Sequence, residues 1–148
     1  MNIDLNQYSK FVEGVTSKTS NDMTTFLNRL NQIDANYEAY GSNGEWQHGP
    51  DINVPLWITA GIGLASESGE FSEMMKKILF HGKPLNQENF DKMEGELGDI
   101  IWYWTNACRA MNLDPNTVIA KNVKKLEARY PGGKFDPFKA ENRAAGDK

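Results

Sequence analysis

The chain has 148 residues, of which 39% are hydrophobic and 11% aromatic, and it carries a formal net charge of −4. This length suits one domain, the composition excludes global disorder, and no apolar run approaches the ~20 residues that span a bilayer. An acidic chain is a poor partner for a nucleic-acid polymer, and the single cysteine, Cys108, favours a reducing compartment such as the cytoplasm.

Two amphipathic helices are predicted in the first part of the chain. The first runs from about Leu5 to Thr16, with Asp4 as a suitable N-cap and apolar residues at helical spacing. The second begins after Ser20 or Asn21 and extends to near Tyr40.

The segment from Tyr40 to Pro55 is predicted to be a loop, because glycines and prolines cluster within it. A loop of this length often has a function, such as covering a binding site. The alternative is a disordered insertion, and both interpretations stay open.

Two long helices are predicted next. The third helix of the chain spans about residues 56–80 and ends at His81 and Gly82, because glycine is favoured just beyond a helix C-terminus. The fourth helix begins near Asn86 or Asn89 and runs to about Met111. Because their connection is short, the two helices should pack antiparallel.

A fifth helix begins after Asp114, a good N-cap followed by Pro115 at the first helical position, and runs to about Tyr130. Residues 135–148 form a mostly polar C-terminal tail. Because no stretch shows convincing strand-like alternation, we expect an all-α bundle of about five helices. Residues 1–134 are predicted to form a single domain, with the site between the two antiparallel central helices.

A pair of carboxylates on the third helix marks a candidate site. Glu67 and Glu70 are three residues apart and therefore share a helix face. Glu67 falls on the same stripe as the apolar residues Leu64, Phe71, Met74 and Ile78. A buried and unpaired carboxylate is costly, so this position requires compensation. Glu73 falls away from the stripe and is predicted to be a solvated surface charge.

The fourth helix repeats the pattern with Glu96 and Asp99, whereas Glu94 points elsewhere. Antiparallel packing brings both pairs toward one place, where four negative charges would repel one another. A divalent cation relieves this repulsion, and ligands that are all oxygen favour Mg²⁺ or Mn²⁺. The alternative for each pair alone is an ordinary solvated helix face.

A di-iron carboxylate bundle is the rival metal site, but that site uses Glu-x-x-His motifs. The two histidines, His48 and His81, do not lie three residues after a glutamate. We therefore discount iron and zinc.

Basic residues follow on the fifth helix. Asn122, Lys125 and Arg129 lie at steps of three and four residues and share one face, while Lys121 and Lys124 are assigned to other faces. One interpretation is a solvated basic face near a helix C-terminus, which the helix dipole favours. Beside an acidic metal site, the same stripe becomes a clamp for phosphate groups.

Three stretches carry a resemblance to a known family: Gly63–Glu70, Glu96–Tyr103 and Asn122–Pro131. Together they resemble the MazG-like all-α nucleotide pyrophosphohydrolases, whose signature is paired Glu-x-x-Glu and Glu-x-x-Asp motifs. The ends of the chain are similar to the short single-domain versions carried by bacteriophages.

The resemblance implies hydrolysis of a nucleoside or deoxynucleoside triphosphate to the monophosphate and pyrophosphate. The implied Mg²⁺ ligands are Glu67, Glu70, Glu96 and Asp99, and Glu67 or Glu70 would activate the water. The implied substrate contacts are Lys92, Asn122, Lys125 and Arg129. A homodimer or homotetramer in the cytoplasm is also implied, in the host cytoplasm if a phage encodes the chain. The alternative is a non-catalytic helical module that binds a nucleotide or another protein.

Overall fold

A computed structural model describes residues 5–35, 37–40 and 46–143. The chain forms two compact units, Met1–Val54 and Pro55–Lys148. Each unit is described by itself, and the single domain expected over residues 1–134 stays a prediction. None of the described helices is both long and apolar enough to cross a bilayer.

The first unit contains three helices and a small hairpin: α1 (Leu5–Val15), α2 (Lys18–Asn21), α3 (Met23–Asp34), β1 (Tyr37–Tyr40) and β2 (Trp46–His48). The strands pair antiparallel, with Tyr37 opposite His48 and Tyr40 opposite Trp46. Asp22 caps α3, because its carboxylate accepts a hydrogen bond of 2.7 Å from the backbone N–H of Thr25.

The end of the second predicted helix needs correction. This helix, α3, ends at Asp34 rather than near Tyr40, and the following residues form β1. The segment predicted to be a loop likewise contributes β2. Aromatic residues favour strands, and pairing gives each short strand the backbone partners that it lacks alone. The rest of the predicted loop between the strands, residues 41–45, lies outside the described residues.

The second unit is built from α4 (Val54–Phe80), which begins at the unit boundary, α5 (Gln87–Ala110), α6 (Pro115–Arg129) and α7 (Pro137–Glu141). The predicted third, fourth and fifth helices are confirmed as α4, α5 and α6. Gly82 follows α4 with a φ of 71°, a conformation that favours glycine. Asn86 caps α5, and Asp114 caps α6 through the backbone N–H groups of Asn116 and Thr117.

The tail is more ordered than the sequence predicts, because Pro137–Glu141 forms α7. The Asp136 carboxylate accepts a hydrogen bond of 2.9 Å from the backbone N–H of Phe138, and Pro137 occupies the first turn. The Phe135 ring lies 5.8 Å from the Tyr130 ring, measured between centroids. The last five residues, 144–148, lie outside the described part of the chain.

The long helices α4 and α5 contact each other in antiparallel orientation. Gly63 of α4 lies against the Tyr103 ring of α5, while Glu67 and Glu70 lie near Glu96. Residue numbers therefore increase along α4 in the direction in which they decrease along α5. Cys108 is buried with 3% of its surface exposed, as expected for an apolar filler. Apart from the short hairpin, every described element is helical, which confirms the all-α class.

Candidate functional site

Three carboxylates from two helices meet between α4 and α5. Oxygen atoms of Glu67, Glu70 and Glu96 all lie within 4.8 Å of one another. Glu67 and Glu70 are one turn apart on α4, and Glu96 approaches from α5. Glu67 and Glu96 are half-buried, whereas Glu70 is exposed. The group thus has an inner side against the helices and an outer side open to a ligand.

The electrostatics of this group centre on Glu67. Removal from water raises the pKa of the Glu67 carboxyl, and the charges of Glu70 and Asp99 raise it further. A hydrogen bond with Glu96 and the charge of Glu96 act in the same direction. Without a cation, these surroundings make the charged form of Glu67 less favourable than in free solution, and a bound cation would oppose that effect.

Asp99 belongs to the same electrostatic neighbourhood but not to the closest group. The charge of Asp99 contributes to the raised pKa of Glu67, so the two side chains interact electrostatically. Among the described residues, however, the group within 4.8 Å comprises only the three glutamates. The structure brings three of the four predicted metal ligands together and leaves Asp99 exposed beside them.

The carboxylates predicted to be surface charges are confirmed as such. Glu73 lies 3.4 Å from the ammonium nitrogen of Lys77 and 3.6 Å from that of Lys76. These cations lower the pKa of Glu73, Lys77 first. Glu94 is exposed on α5. By contrast, the α4 stripe that contains Glu67 is half-buried along its length, at Leu64, Phe71, Met74 and Ile78.

A glycine controls how closely the two site helices approach. A Cβ atom built on Gly63 would overlap the Cδ1, Cε1 and Cζ atoms of the Tyr103 ring. Gly63 is buried, so the ring lies directly against the α4 backbone. This contact lies four residues before Glu67 on α4 and four residues after Asp99 on α5. It therefore sets the helix separation next to the carboxylates.

An open cleft of about 650 Å³ lies between α4, α5 and α6, and its lining begins at Leu64, one helical turn before Glu67. Its apolar wall includes Leu64 from α4 and Ile100 and Trp104 from α5. Its polar residues all come from α6 and are Lys121, Asn122 and Lys125. The predicted shared face of Asn122 and Lys125 agrees with this arrangement. The assignment of Lys121 to another face is wrong, because Lys121 lines the same cleft.

The two remaining predicted substrate contacts lie elsewhere. Arg129 is in the last turn of α6, one turn beyond Lys125, and its guanidinium carbon lies 6.0 Å from the centroid of the Tyr130 ring. It is not part of the described cleft lining. The Lys92 ammonium nitrogen lies 2.6 Å from a carboxylate oxygen of Glu88 in a half-exposed ion pair. Of the four predicted substrate contacts, only Asn122 and Lys125 belong to the described cleft lining.

Three residues of the site neighbourhood were missed from the sequence: Gly63, Trp104 and Lys121. Trp104 lies at helical spacing from Ile100 and Cys108, and such a pattern does not distinguish a core residue from a cleft residue. Gly63 lies four residues, about one helical turn, before Glu67. A glycine inside a long helix can indicate close packing, and this was the available signal for Gly63.

Comparisons with known proteins agree with this region. Residues 59–133, about half of the chain, match the family model described as the MazG nucleotide pyrophosphohydrolase domain. The gene 37 protein of Mycobacterium phage L5 is 36% identical over 73 residues, which cover 49% of this chain and 64% of the relative. The match thus spans less than two thirds of that relative's length. No solved structure matched the chain.

Proposed function

Because the chain belongs to the MazG nucleotide pyrophosphohydrolase family, we propose that it hydrolyses a nucleoside triphosphate, ribo or deoxy, to the monophosphate and pyrophosphate. The observation that carries this proposal is the group of three carboxylates, within 4.8 Å of one another, inside the matched region.

The carboxylates fit a hard divalent cation. Their ligand atoms are all oxygen atoms, which Mg²⁺ and Mn²⁺ prefer. A bound cation would also relieve the electrostatic repulsion between the carboxylates. We assign Glu67, Glu70 and Glu96 as ligands of Mg²⁺, with Mn²⁺ as a substitute, and Asp99 as the fourth. When bound, the cation would neutralise charge that develops on the phosphate oxygens.

The side chains of the chain divide the remaining work. Glu67 or Glu70 orients a water molecule and accepts its proton as the water attacks the α-phosphorus. Pyrophosphate is the leaving group.

Cationic side chains are proposed to hold the anionic substrate. Lys125 and Asn122 line the cleft next to the carboxylates and suit the polyphosphate chain. Arg129 lies one turn farther along α6, where a bidentate grip on a terminal phosphate is geometrically reasonable for a planar guanidinium. Lys92 would have to exchange its partner Glu88 for a phosphate.

A homodimer or homotetramer is proposed on the basis of an apolar stripe on α5. Phe90, Leu97 and Ile101 recur at steps of seven and four residues and therefore share one face. Their exposed fractions are 57%, 49% and 60%. Exposed apolar side chains that share one helix face are typical of a protein interface. We also propose the cytoplasm, of the host if a phage encodes the chain, as its location.

The test is a pyrophosphate-release assay on the eight common ribo and deoxyribonucleoside triphosphates with Mg²⁺. We expect turnover of at least one, and its loss in Glu70→Gln. Glu73→Gln is the matched control, because this glutamate lies on the same helix within an exposed ion pair. Equal losses in the two variants would contradict the assignment of Glu70.

A thermal melt separates the enzyme from the two non-catalytic alternatives. Mg²⁺ in excess should raise the melting temperature, because a ligand selective for the folded state stabilises it. A protein-interaction module predicts no difference between Mg²⁺ and chelator. A nucleotide-binding module predicts saturable nucleotide binding without pyrophosphate release.

A further inference from the structure

We propose that the cleft between α4, α5 and α6 is the nucleoside subsite of the substrate, with the Trp104 indole as the stacking surface for the base. This inference rests on the proposed function, because it assigns the part of the nucleotide that the carboxylates do not hold. It also adds Lys121 to the residues that contact the substrate.

The cleft begins one helical turn from the carboxylate group. Leu64 in its wall lies three residues before Glu67, and Ile100 lies next to Asp99. Three residues of helix correspond to about 4.5 Å of axial rise, which is shorter than a phosphate chain. A nucleotide whose phosphates reach the carboxylates therefore extends its sugar and base along the cleft.

The lining has the chemistry that a nucleoside requires. A base has two flat apolar faces, and the cleft offers a half-buried indole among aliphatic side chains. A base also has polar edges, and the Asn122 amide both donates and accepts hydrogen bonds. Lys121 and Lys125 add positive charge on the same side. The volume of about 650 Å³ lies within the range of small-molecule sites.

Other occupants fit the cleft less well. Its described lining contains neither a carboxylate nor a thiol, so a metal ion has no anionic ligand there. A helix of a second copy would suit the apolar wall, but the polar row on α6 calls for anionic groups, which a nucleotide carries in its phosphates. Two ammonium groups and an amide next to a phosphate-binding site instead complement a nucleotide.

The test compares ligands that share the phosphates and differ in the nucleoside. Wild type and variants are titrated, with Mg²⁺, against a non-hydrolysable analogue of the preferred triphosphate and against inorganic tripolyphosphate. Trp104→Leu should weaken binding of the analogue roughly tenfold or more, which is the scale of losing a base-stacking ring. Its affinity for tripolyphosphate should stay within about twofold of wild type. Trp104→Phe should retain most of the affinity for the analogue.

The control is Trp57→Leu, which removes a tryptophan of α4 that is 41% exposed and outside the described cleft lining. It should bind both ligands as wild type does. A second pair of variants avoids the apolar wall: Lys121→Ala should weaken binding of the analogue, and Lys124→Ala should not. Both lysines are exposed, so neither replacement threatens the fold.

Three results would overturn the subsite. The first is a Trp104→Leu variant that binds the analogue as tightly as wild type. The second is an equal loss for tripolyphosphate, which would assign Trp104 to the support of the phosphate site. The third is a Trp104→Leu variant whose oligomeric state changes while its affinity for the analogue does not, which would mean that a second copy of the chain fills the cleft. If wild type binds the analogue through Trp104 yet releases no pyrophosphate from any triphosphate, the hydrolase is refuted and the subsite is supported.

Discussion

Replacing Gly63 with alanine tests how closely α4 and α5 must approach at the site. The added Cβ would overlap three carbons of the Tyr103 ring, and the contact partner is the body of an aromatic ring rather than the free end of a flexible chain. The ring or one of the helices must therefore move. Any such movement reaches the carboxylates, because the contact lies one turn from Glu67.

The expected size of the effect follows from two opposing contributions. Overpacking a well-packed contact costs about 1–3 kcal/mol. Exchanging glycine for alanine inside a helix stabilises it by about 1 kcal/mol. Gly61, on the same helix, has no atom within 4 Å of its added Cβ and so experiences only the second contribution. The difference in unfolding free energy between Gly61→Ala and Gly63→Ala should therefore be about 1–3 kcal/mol.

Urea denaturation of the two variants measures this difference, and kcat/KM measures the effect on the site. A displacement of about 1 Å in a catalytic group can reduce the rate about 100-fold. When both effects are expressed as free energies, Gly63→Ala should therefore lose more in kcat/KM than in unfolding free energy. Gly61→Ala should keep its activity. A Gly63→Ala variant as stable and as active as Gly61→Ala would refute the reasoning. It would mean that the ring moves aside without cost.

Further expectations concern pH, a phosphate contact and the interface. The pKa of Glu67 is raised above 4.5 in the folded state, chiefly by removal from water, so its contribution to stability in metal-free protein should be lost as the pH rises from 4.5 through that raised pKa. The difference in melting temperature between wild type and Glu67→Gln, measured with chelator, should change over this range, and a constant difference would contradict the raised pKa. If Arg129 holds a phosphate, Arg129→Ala should lower kcat/KM by about 10- to 150-fold. Arg129→Lys should also lower kcat/KM, because lysine lacks the planar guanidinium group. A folded Arg129→Ala variant with normal kcat/KM would show that Arg129 does not contact the substrate. Phe90→Asp should shift the assembly toward a smaller species in light scattering, whereas Glu88→Gln, an exposed residue on the opposite face of α5, should not. An unchanged mass for Phe90→Asp would exclude this stripe from the interface.

The helix boundaries that could be predicted are those with local chemical causes. Asp114 with Pro115, Asn86 as a cap, and Gly82 with a positive φ each determine an end through groups within a few residues. The hairpin had no such local cause, because β1 and β2 stabilise each other across residues that are apart in sequence. α7 illustrates the intermediate case, since its cap at Asp136 and its Pro137 are local signals that a polar tail obscured.

The site shows where periodicity stops being informative. Glu67 was found because a carboxylate on an apolar stripe is a departure from a helical pattern, and that departure is visible in one helix alone. The prediction put Lys121 on another face of α6 than Asn122 and Lys125. Whether Lys121 lines the cleft depends on how much of the circumference of α6 faces the cleft. Residues 121 and 125 differ by about 40° around a helix, and residues 121 and 122 differ by about 100°. A helix that packs against one neighbour uses a narrow stripe, which would exclude one of them. α6 borders a cleft whose walls come from both α4 and α5, so its lining face is wide enough to include all three. If Lys121→Ala behaves like Lys124→Ala in the analogue titration, the effective face is narrow after all, and the substrate contacts on α6 reduce to the stripe that the sequence predicted.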